Sequence, residues 1–224
     1  MDLSRLELLI KDKVYILKKS TILVIGLGGV GSYAVESLCR SGIGKIIIAD
    51  YDVISPSNLN RQLMTNINNI GLKKVDVVSD RIKSINSTCE VIKIDKKLEE
   101  KDIFELISNV DGVIDAVDDI SIKKEIIRVC KKKNILFISS MGTGNKLDPT
   151  KLQIVDVRKT SYDPIAKIIR KMIKDEKISG KVMVVCSSEI PIKTNSKTIG
   201  STSFVPSVAG LFCTSYIINK LIGD

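Results

Sequence analysis

Thr21-Ile22-Leu23-Val24-Ile25-Gly26-Leu27-Gly28-Gly29-Val30-Gly31 is the stretch that decides the fold. Its first five residues form a β-branched and apolar run of the length of one buried strand. A G-x-G-x-x-G turn follows at once, and residues 32–40 continue with helical spacing. Strand, glycine turn and helix, in that order, is the context in which such a turn binds a nucleotide. One glycine is needed where the chain bends sharply, another where backbone must approach a phosphate. The helix start then presents unpaired N–H groups and the positive end of its dipole to an anion. A second strand, Lys45–Ala49, ends on Asp50, an acid placed to accept a hydrogen bond from a ribose hydroxyl.

Outward from this unit, residues 3–17 carry apolar side chains at helical spacing with a break near Lys11, which predicts one or two short helices before the sheet. Residues 55–69 are polar, with Pro56 and five asparagines, and predict loop and short helix. A helix is expected over 72–85, with Val75, Val78, Ile82 and Ile85 on one face. Glu90–Ile94 reads as a strand, 102–108 as a helix and 110–117 as a buried strand ending in acids. Residues 123–133 predict a helix with a basic exterior, and 135–139 the next strand. This β-α-β-α alternation implies an α/β fold, a Rossmann-like and mostly parallel sheet with helices on both faces. Its site lies beyond the carboxyl ends of the strands.

After residue 140 the pattern changes. Residues 141–149 are a loop and 152–157 alternate as an antiparallel strand would. Residues 164–178 predict a helix with Ile165, Ile168, Ile169, Met172 and Ile173 on one face. Another strand is expected over 181–186, a mobile polar connection over 189–202, and a mostly apolar closing helix over 206–222. No linker separates a second domain. Residues 1–224 read as one unit: a helical segment 1–20, a nucleotide-binding core 21–140 and a substrate-side extension 141–224.

A chain of 224 residues is long enough for one α/β domain with a sizeable core. It contains no histidine, which excludes a histidine general base and a histidine metal site. The five cysteines, Cys39, Cys89, Cys130, Cys186 and Cys213, are widely spaced without a C-x-x-C pair, so no structural zinc is expected. Their odd number, with no signal-like pattern in residues 1–20, points to the reducing cytoplasm. The late apolar run 208–218 is too short to span a membrane. The formal net charge of +9 suits an acidic partner, with tRNA, nucleotides or an acidic protein as candidates. General lysine enrichment accounts for it equally well.

Beyond Asp50 the chain reads Asp50-Tyr51-Asp52, then Asn58-Leu59-Asn60-Arg61-Gln62, then Lys74, then Asp115-Ala116-Val117-Asp118. In this order and spacing the segments resemble the adenylating enzymes of the ubiquitin-activating superfamily, which includes bacterial activators of sulfur carriers in thiamine and molybdenum-cofactor synthesis. The resemblance implies ATP and Mg²⁺. It places the nucleotide on Gly26, Gly28, Gly29 and Gly31, the ribose on Asp50, and the phosphates beside Asn58 and Arg61. Asp52 and Gln62 complete the binding set, Lys74 reaches the α-phosphate, and Asp118 holds the metal. It further implies a homodimer in which Arg5 enters the partner's site, and sulfur-transfer proteins as a further partner class. The residues themselves leave Lys73 open beside Lys74. They also leave Asp115 and Asp119 open beside Asp118, since each acid is placed to cap a helix starting near Ser121.

The second half carries Gly144-Asn145-Lys146-Leu147-Asp148-Pro149, Lys159-Thr160-Ser161-Tyr162-Asp163-Pro164, Ser187-Ser188-Glu189-Ile190-Pro191 and Gly200–Gly210. These segments resemble the tRNA threonylcarbamoyladenosine dehydratase branch of that superfamily. That branch adenylates the threonyl carboxylate of a modified adenosine beside the tRNA anticodon, and ring closure to an oxazolone releases AMP. The alternative within the superfamily is an activator of a small sulfur-carrier protein. An NAD-dependent oxidoreductase has no role for residues 58–62 or Lys74, and a silent scaffold would lack Arg61 or Asp118. Between Arg158 and Lys181 there are eight Lys or Arg and three Asp or Glu. The helix 164–178, with Lys167, Arg170, Lys171 and Lys174 off its apolar face, is therefore a tRNA-binding candidate, set against an ordinary solvated face.

Overall fold

The computed structural model describes residues 1–223. In chain order its strands are β1 (Thr21–Ile25), β2 (Lys45–Ala49), β3 (Glu90–Ile94), β4 (Gly112–Asp115), β5 (Leu136–Ser140), β6 (Leu152–Asp156) and β7 (Met183–Ser187). The helices are α1 (Ser4–Ile10), α2 (Val14–Lys19), α3 (Gly31–Arg40), α4 (Lys74–Ile85), α5 (Glu100–Leu106), α6 (Ile120–Lys133), α7 (Pro164–Asp175) and α8 (Val205–Leu221). One sheet takes the order β3-β2-β1-β4-β5-β7-β6. All its pairings are parallel except β6 against β7. The chain steps outward from β1 to β2 and β3, then returns to β4 on the other side of β1. The crevice between β1 and β4 is therefore the switch point at which open α/β sheets bind ligands.

Alternation along the inner strands splits the core into two layers. Ile22 and Val24 of β1 face α3, α4 and α8, whereas Leu23 and Ile25 face α5, α6 and α7. Burial on both faces is why these strands read as unbroken apolar runs. The edge strand β3 is only partly covered and mixes Glu90 and Lys93 with apolar residues, which discourages further strand pairing.

The closing helix α8 is covered by its own domain. Val205, Ala209, Cys213 and Ile217 are buried beneath it. Gly210 permits a close crossing with α3: a Cβ there would stand 2.3 Å from the Val30 carbonyl oxygen. Thr214 Oγ1 donates to the Ala34 carbonyl at 3.0 Å along the same crossing.

Residues 3–17 form two short helices, α1 and α2, around a single turn of tighter helix at Lys11–Lys13, as expected. Other expectations need correction. The helix expected at 123–133 begins at Ile120, because Asp119 caps it, accepting from the N–H groups of Ser121 (2.8 Å) and Ile122 (3.2 Å). Lys123 is not on its basic exterior but enclosed in the core. The helix α7 ends at Asp175, and Ile168 stands 36 % exposed at the margin of its apolar face. Residues 189–202 have no regular structure, yet they are tethered. Asn145 accepts from Ile192 N–H (2.8 Å) through its carbonyl and from Gly200 N–H (2.7 Å) through Oδ1. Asn60 Nδ2 donates to the Ser201 carbonyl at 3.1 Å.

Candidate active site

The glycine turn follows β1, Asp50 follows β2 and Asp118 follows β4, so three predicted segments meet at the switch point. The glycines divide by task. Gly26 has φ +88°, and a Cβ there would stand 2.7 Å from the Ala116 carbonyl oxygen. A Cβ on Gly31 would stand 1.8 Å from the Gly26 carbonyl oxygen. These two close the turn against the end of β4. Gly28 faces open space, its nearest neighbour Gln62 Nε2 at 3.9 Å, which is the character of a surface that a ligand approaches. At the start of α3, Val30 offers no side-chain cap. Ser32 N–H is taken by the Gly28 carbonyl at 3.0 Å, while the N–H groups just ahead of the helix, at Gly28, Gly29 and Val30, stay available for an anion.

Asp50 braces this turn. Its Oδ2 accepts from Leu27 N–H at 2.7 Å and its Oδ1 from Asp52 N–H at 2.9 Å. Lys74, whose side chain is 7 % exposed, donates from Nζ to Asp52 Oδ2 at 2.6 Å and lies 3.8 Å from Asp50 Oδ2. Lys73 turns the other way and pairs with Asp95 on the surface. The two lysines left open by the sequence therefore differ sharply in environment, and the buried one points among the acids of the site.

In the 58–62 segment Asn58 is buried, and its Oδ1 accepts from Ser55 N–H at 3.0 Å. Arg61 Nη1 donates to the Ser57 carbonyl (2.7 Å) and Asn60 Oδ1 (2.9 Å). The remaining guanidinium donors have no protein partner among the described residues. The Arg61 stem lies beside Gly29, where a Cβ would stand 3.4 Å from Arg61 Cγ. Gln62 is buried behind the turn with its Oε1 unpartnered, next to a small cavity lined by Leu27, Ser32, Thr65 and Lys74.

The three acids after β4 have separate fates. Asp115 is enclosed in an ion pair with Lys123, and Asp119 caps α6. Asp118 is exposed and forms no hydrogen bond or ion pair among the described residues. Arg5 is exposed on α1, and the structure does not bring it to this site. Leu3 packs on Gly42 just ahead of β2, at the amino-terminal end of the strands, whereas the glycine turn lies at their carboxyl end.

The chain matches the model of the ThiF family over residues 2–223. It belongs to the ThiF family. Among similar ThiF-type sequences is the tRNA threonylcarbamoyladenosine dehydratase of Bacillus subtilis, 41% identical over 99% of this chain and 94% of the relative. A probable molybdopterin-synthase adenylyltransferase of Porphyra purpurea is 40% identical, over 54% of this chain and 32% of its own length. The crystal structure of E. coli tRNA N6-threonylcarbamoyladenosine dehydratase, TcdA, in complex with ATP superimposes with a TM-score of 0.92 at 30% identity. It covers 98% of this chain and 93% of the other.

None of the thiols of this ThiF-family chain is placed as a nucleophile. All five cysteines are free and buried. Cys186, at the carboxyl end of β7, is the one nearest the strand ends, and burial pushes its thiol up to about 11. At neutral pH it is protonated and unreactive.

Two features of the second half escaped the sequence reading. Lys146 and Asp163 form a buried pair, Nζ to Oδ2 3.6 Å, while Lys146 donates to the Gly142 carbonyl at 2.8 Å and Asp163 Oδ1 caps α7 through Ala166 N–H at 2.8 Å. Glu189 accepts from the N–H groups of Leu147 and Asp148, both at 2.9 Å. Together these fix the loop after β5. Both pairs join positions far apart in sequence, so no local pattern announced them. Among the described residues no group of three His, Cys, Asp or Glu gathers as a metal cluster. Among the same residues no helix is long and apolar enough to cross a membrane.

Proposed function

We propose that this ThiF-family chain is an ATP-dependent dehydratase that cyclises N6-threonylcarbamoyladenosine in tRNA. The observation that carries this reading is whole-chain similarity: likeness to a dehydratase covers 99% of this chain, whereas likeness to a probable molybdopterin-synthase adenylyltransferase covers 54%. A threonyl carboxylate oxygen attacks the α-phosphorus of ATP, and pyrophosphate leaves. The neighbouring carbamoyl group then closes on the acyl-adenylate carbon. AMP departs with the former carboxylate oxygen, so the net change in the nucleoside is loss of water. Ring closure brings its own nucleophile, in keeping with the absence of an ionised thiol.

The chain's task is positioning and charge stabilisation. We assign the β- and γ-phosphates to the open N–H groups before α3 and to the free donors of Arg61. Lys74 exchanges its hydrogen bond with Asp52 for the α-phosphate, and Asp50 and Asp52 are then available to the ribose. Asn58 holds the segment that carries Arg61, and the unpartnered Gln62 Oε1 is an acceptor facing the back of the turn. Asp118 fits Mg²⁺, since one free carboxylate beside phosphates and water is a usual protein share of such a site. Bound there, the ion would screen the phosphate charge.

Arg5 lies on the helix whose neighbour Leu3 packs at the amino-terminal end of the strands, away from the ATP site of its own chain, which supports a homodimer in which it enters the partner's site. Exposed Lys167, Lys171 and Lys174 of α7 form the proposed tRNA surface. Arg170 is withdrawn from it, because its guanidinium is held by the Thr160 carbonyl (3.0 Å) and hydroxyl. ATP, tRNA and five unpaired thiols suit the cytoplasm. The test is mass spectrometry of tRNA nucleosides after incubation with enzyme and ATP, under conditions that preserve the ring. Loss of one water per AMP formed supports the reading. Adenylation of a sulfur-carrier C-terminus, with tRNA unchanged, would overturn it.

A further inference from the structure

The largest wholly enclosed side chain of this protein is a lysine, Lys123. An ammonium is not tolerated in such a place unless every donor is met. Here all three are. Nζ donates to Asp115 Oδ2 at 2.9 Å, to Ser139 Oγ at 3.2 Å and to the Ser140 carbonyl at 2.9 Å. Ser139 Oγ–H in turn donates to Asp115 Oδ2, and Asp115 Oδ1 accepts from Val117 N–H at 3.2 Å. One side chain from the first turn of α6 thereby ties together the carboxyl ends of β4 and β5. The lysine and the carboxylate are both 0 % exposed, so neither reaches a substrate.

A buried ion pair is weak evidence for stability, because desolvation offsets the attraction, and in some proteins such pairs are retained for the geometry they impose. The geometry here concerns residues 116–118. This bridge leaves Asp115, whose carboxylate is fixed by Lys123, and ends at Asp119, whose carboxylate caps α6. Between these anchors Ala116 N–H donates to the Ile25 carbonyl at 2.9 Å, and the Ala116 carbonyl lies directly against Gly26. Asp118 is the one acid of the bridge left free. The glycine turn and the free acid, two parts of the ATP site, therefore rest on the same three residues.

We infer that Lys123 and Asp115 are positioning residues, which hold Asp118 at the mouth of the switch point and the floor of the glycine turn at a fixed height beside it. The inference rests on the reading of Asp118 as the metal carboxylate. The pair acts on the site through the backbone of residues 116–118 and touches neither Asp118 nor a substrate; loss of direct hydrogen-bond partners of metal ligands costs about 10–100-fold in metal affinity, and the lower end of that range is the scale for an indirect hold.

The experiment uses the full chain with a non-hydrolysable ATP analogue and Mn²⁺, and measures metal affinity by electron paramagnetic resonance. Analogue binding without metal is measured alongside. Lys123→Met alone strands a buried carboxylate and is not used. The double variant Asp115→Asn/Lys123→Met removes both charges and keeps an acceptor for Val117 N–H. Ser139→Ala keeps the pair but removes one of its ties. The double variant is expected to weaken Mn²⁺ binding about tenfold or more and metal-free analogue binding by a smaller factor, through the glycine turn, and Ser139→Ala to shift Mn²⁺ binding in the same direction less strongly. Unchanged Mn²⁺ affinity in the folded double variant would overturn the inference. If that variant does not fold, unchanged affinity in Ser139→Ala overturns it instead. Asp118→Ala run in parallel separates the two levels. If it weakens Mn²⁺ binding while the pair variants do not, only the positioning role falls. If it has no effect, the metal reading falls and the inference with it.

Discussion

Replacing Lys74 by Met tests the proposed phosphate interaction against a built-in control one residue away. The Lys74 side chain is 7 % exposed and serves two carboxylates, Asp52 at 2.6 Å and Asp50 at 3.8 Å. Breaking a wholly buried pair costs about 3–5 kcal/mol in general. Here the loss is smaller for two reasons. The Asp52 side chain is 46 % exposed and regains water, and Asp50 retains the N–H groups of Leu27 and Asp52. We expect a fall in unfolding free energy of about 1–3 kcal/mol, the cost of an incompletely satisfied buried group. Catalysis should suffer more. A donor aimed at charge that develops on a transferring phosphoryl group is worth about 2.7–4 kcal/mol, or roughly 10²–10³ in rate. Lys73→Met removes a lysine of the same chain segment whose partner, Asp95, is on the surface, and should change neither quantity measurably. Urea unfolding and AMP formation on tRNA carrying the linear nucleoside read the two effects separately. A folded Lys74→Met protein that forms AMP within about threefold of the unsubstituted rate would refute the reasoning, since less than about 1 kcal/mol would then separate the two. So would an equal loss in Lys73→Met.

Mixing Arg5→Ala protein with Asp118→Ala protein, each inactive alone, should restore partial AMP formation. Every mixed dimer holds one site with its own Asp118 and the partner's Arg5; no rescue after demonstrated subunit exchange would place Arg5 outside the partner's site. Substituting Lys167, Lys171 and Lys174 together by Gln should weaken tRNA binding and flatten its salt dependence, by up to about 0.9 in slope for each duplex phosphate no longer neutralised, with ATP affinity unchanged. An unaltered slope would move the tRNA surface elsewhere. Glu36 gives a pH test: burial pushes its carboxyl up, but hydrogen bonds from Arg81 and Arg40 outweigh this and hold it below its ordinary 4.5. A depressed carboxyl stabilises the fold above its unfolded value and loses that contribution as pH falls through the folded one. Glu36→Gln should therefore cost about 0.5–1 kcal/mol at pH 7, modest because both arginines are largely exposed, and nothing once pH is well below 4.5. Equal destabilisation at both pH values would show a packing effect instead.

Most of the sheet was legible because each strand and helix carries its own period. β1, β2 and β3 stand where their apolar runs put them, and α3, α4 and α8 start within two residues of expectation. What failed did so where a side chain meets a partner on another element, outside the period of its own, whether eight residues away (Lys123 and Asp115), ten (Arg170 and Thr160) or more than fifty (Asn145 and Gly200). Lys123 sits in a stretch rich in lysine, and only the enclosed Asp115 distinguishes it; a carboxylate ending an apolar strand was the available clue that a buried cation had to meet it. Arg170 was counted with the free charges of α7 because Thr160 folds back beneath it. Residues 189–202 lack a period, and the ties that Asn145 and Asn60 supply at positions 192, 200 and 201 carry no local signal.

The sequence by itself determined the parallel core, the place of the glycine turn and the order of the motif residues, because periodicity, glycine conformation and spacing are local properties of the chain. It also carried the resemblance that separates this chain from oxidoreductases. Only the tertiary structure decided which of two adjacent lysines is buried among the acids, and which of three neighbouring aspartates is paired, free or capping. It also decided which charges of α7 reach solvent. Those outcomes depend on desolvation and on partners brought together by folding: Asp115 meets Lys123 and Asp118 stays free because the end of β4, the first turn of α6 and β5 converge at one point.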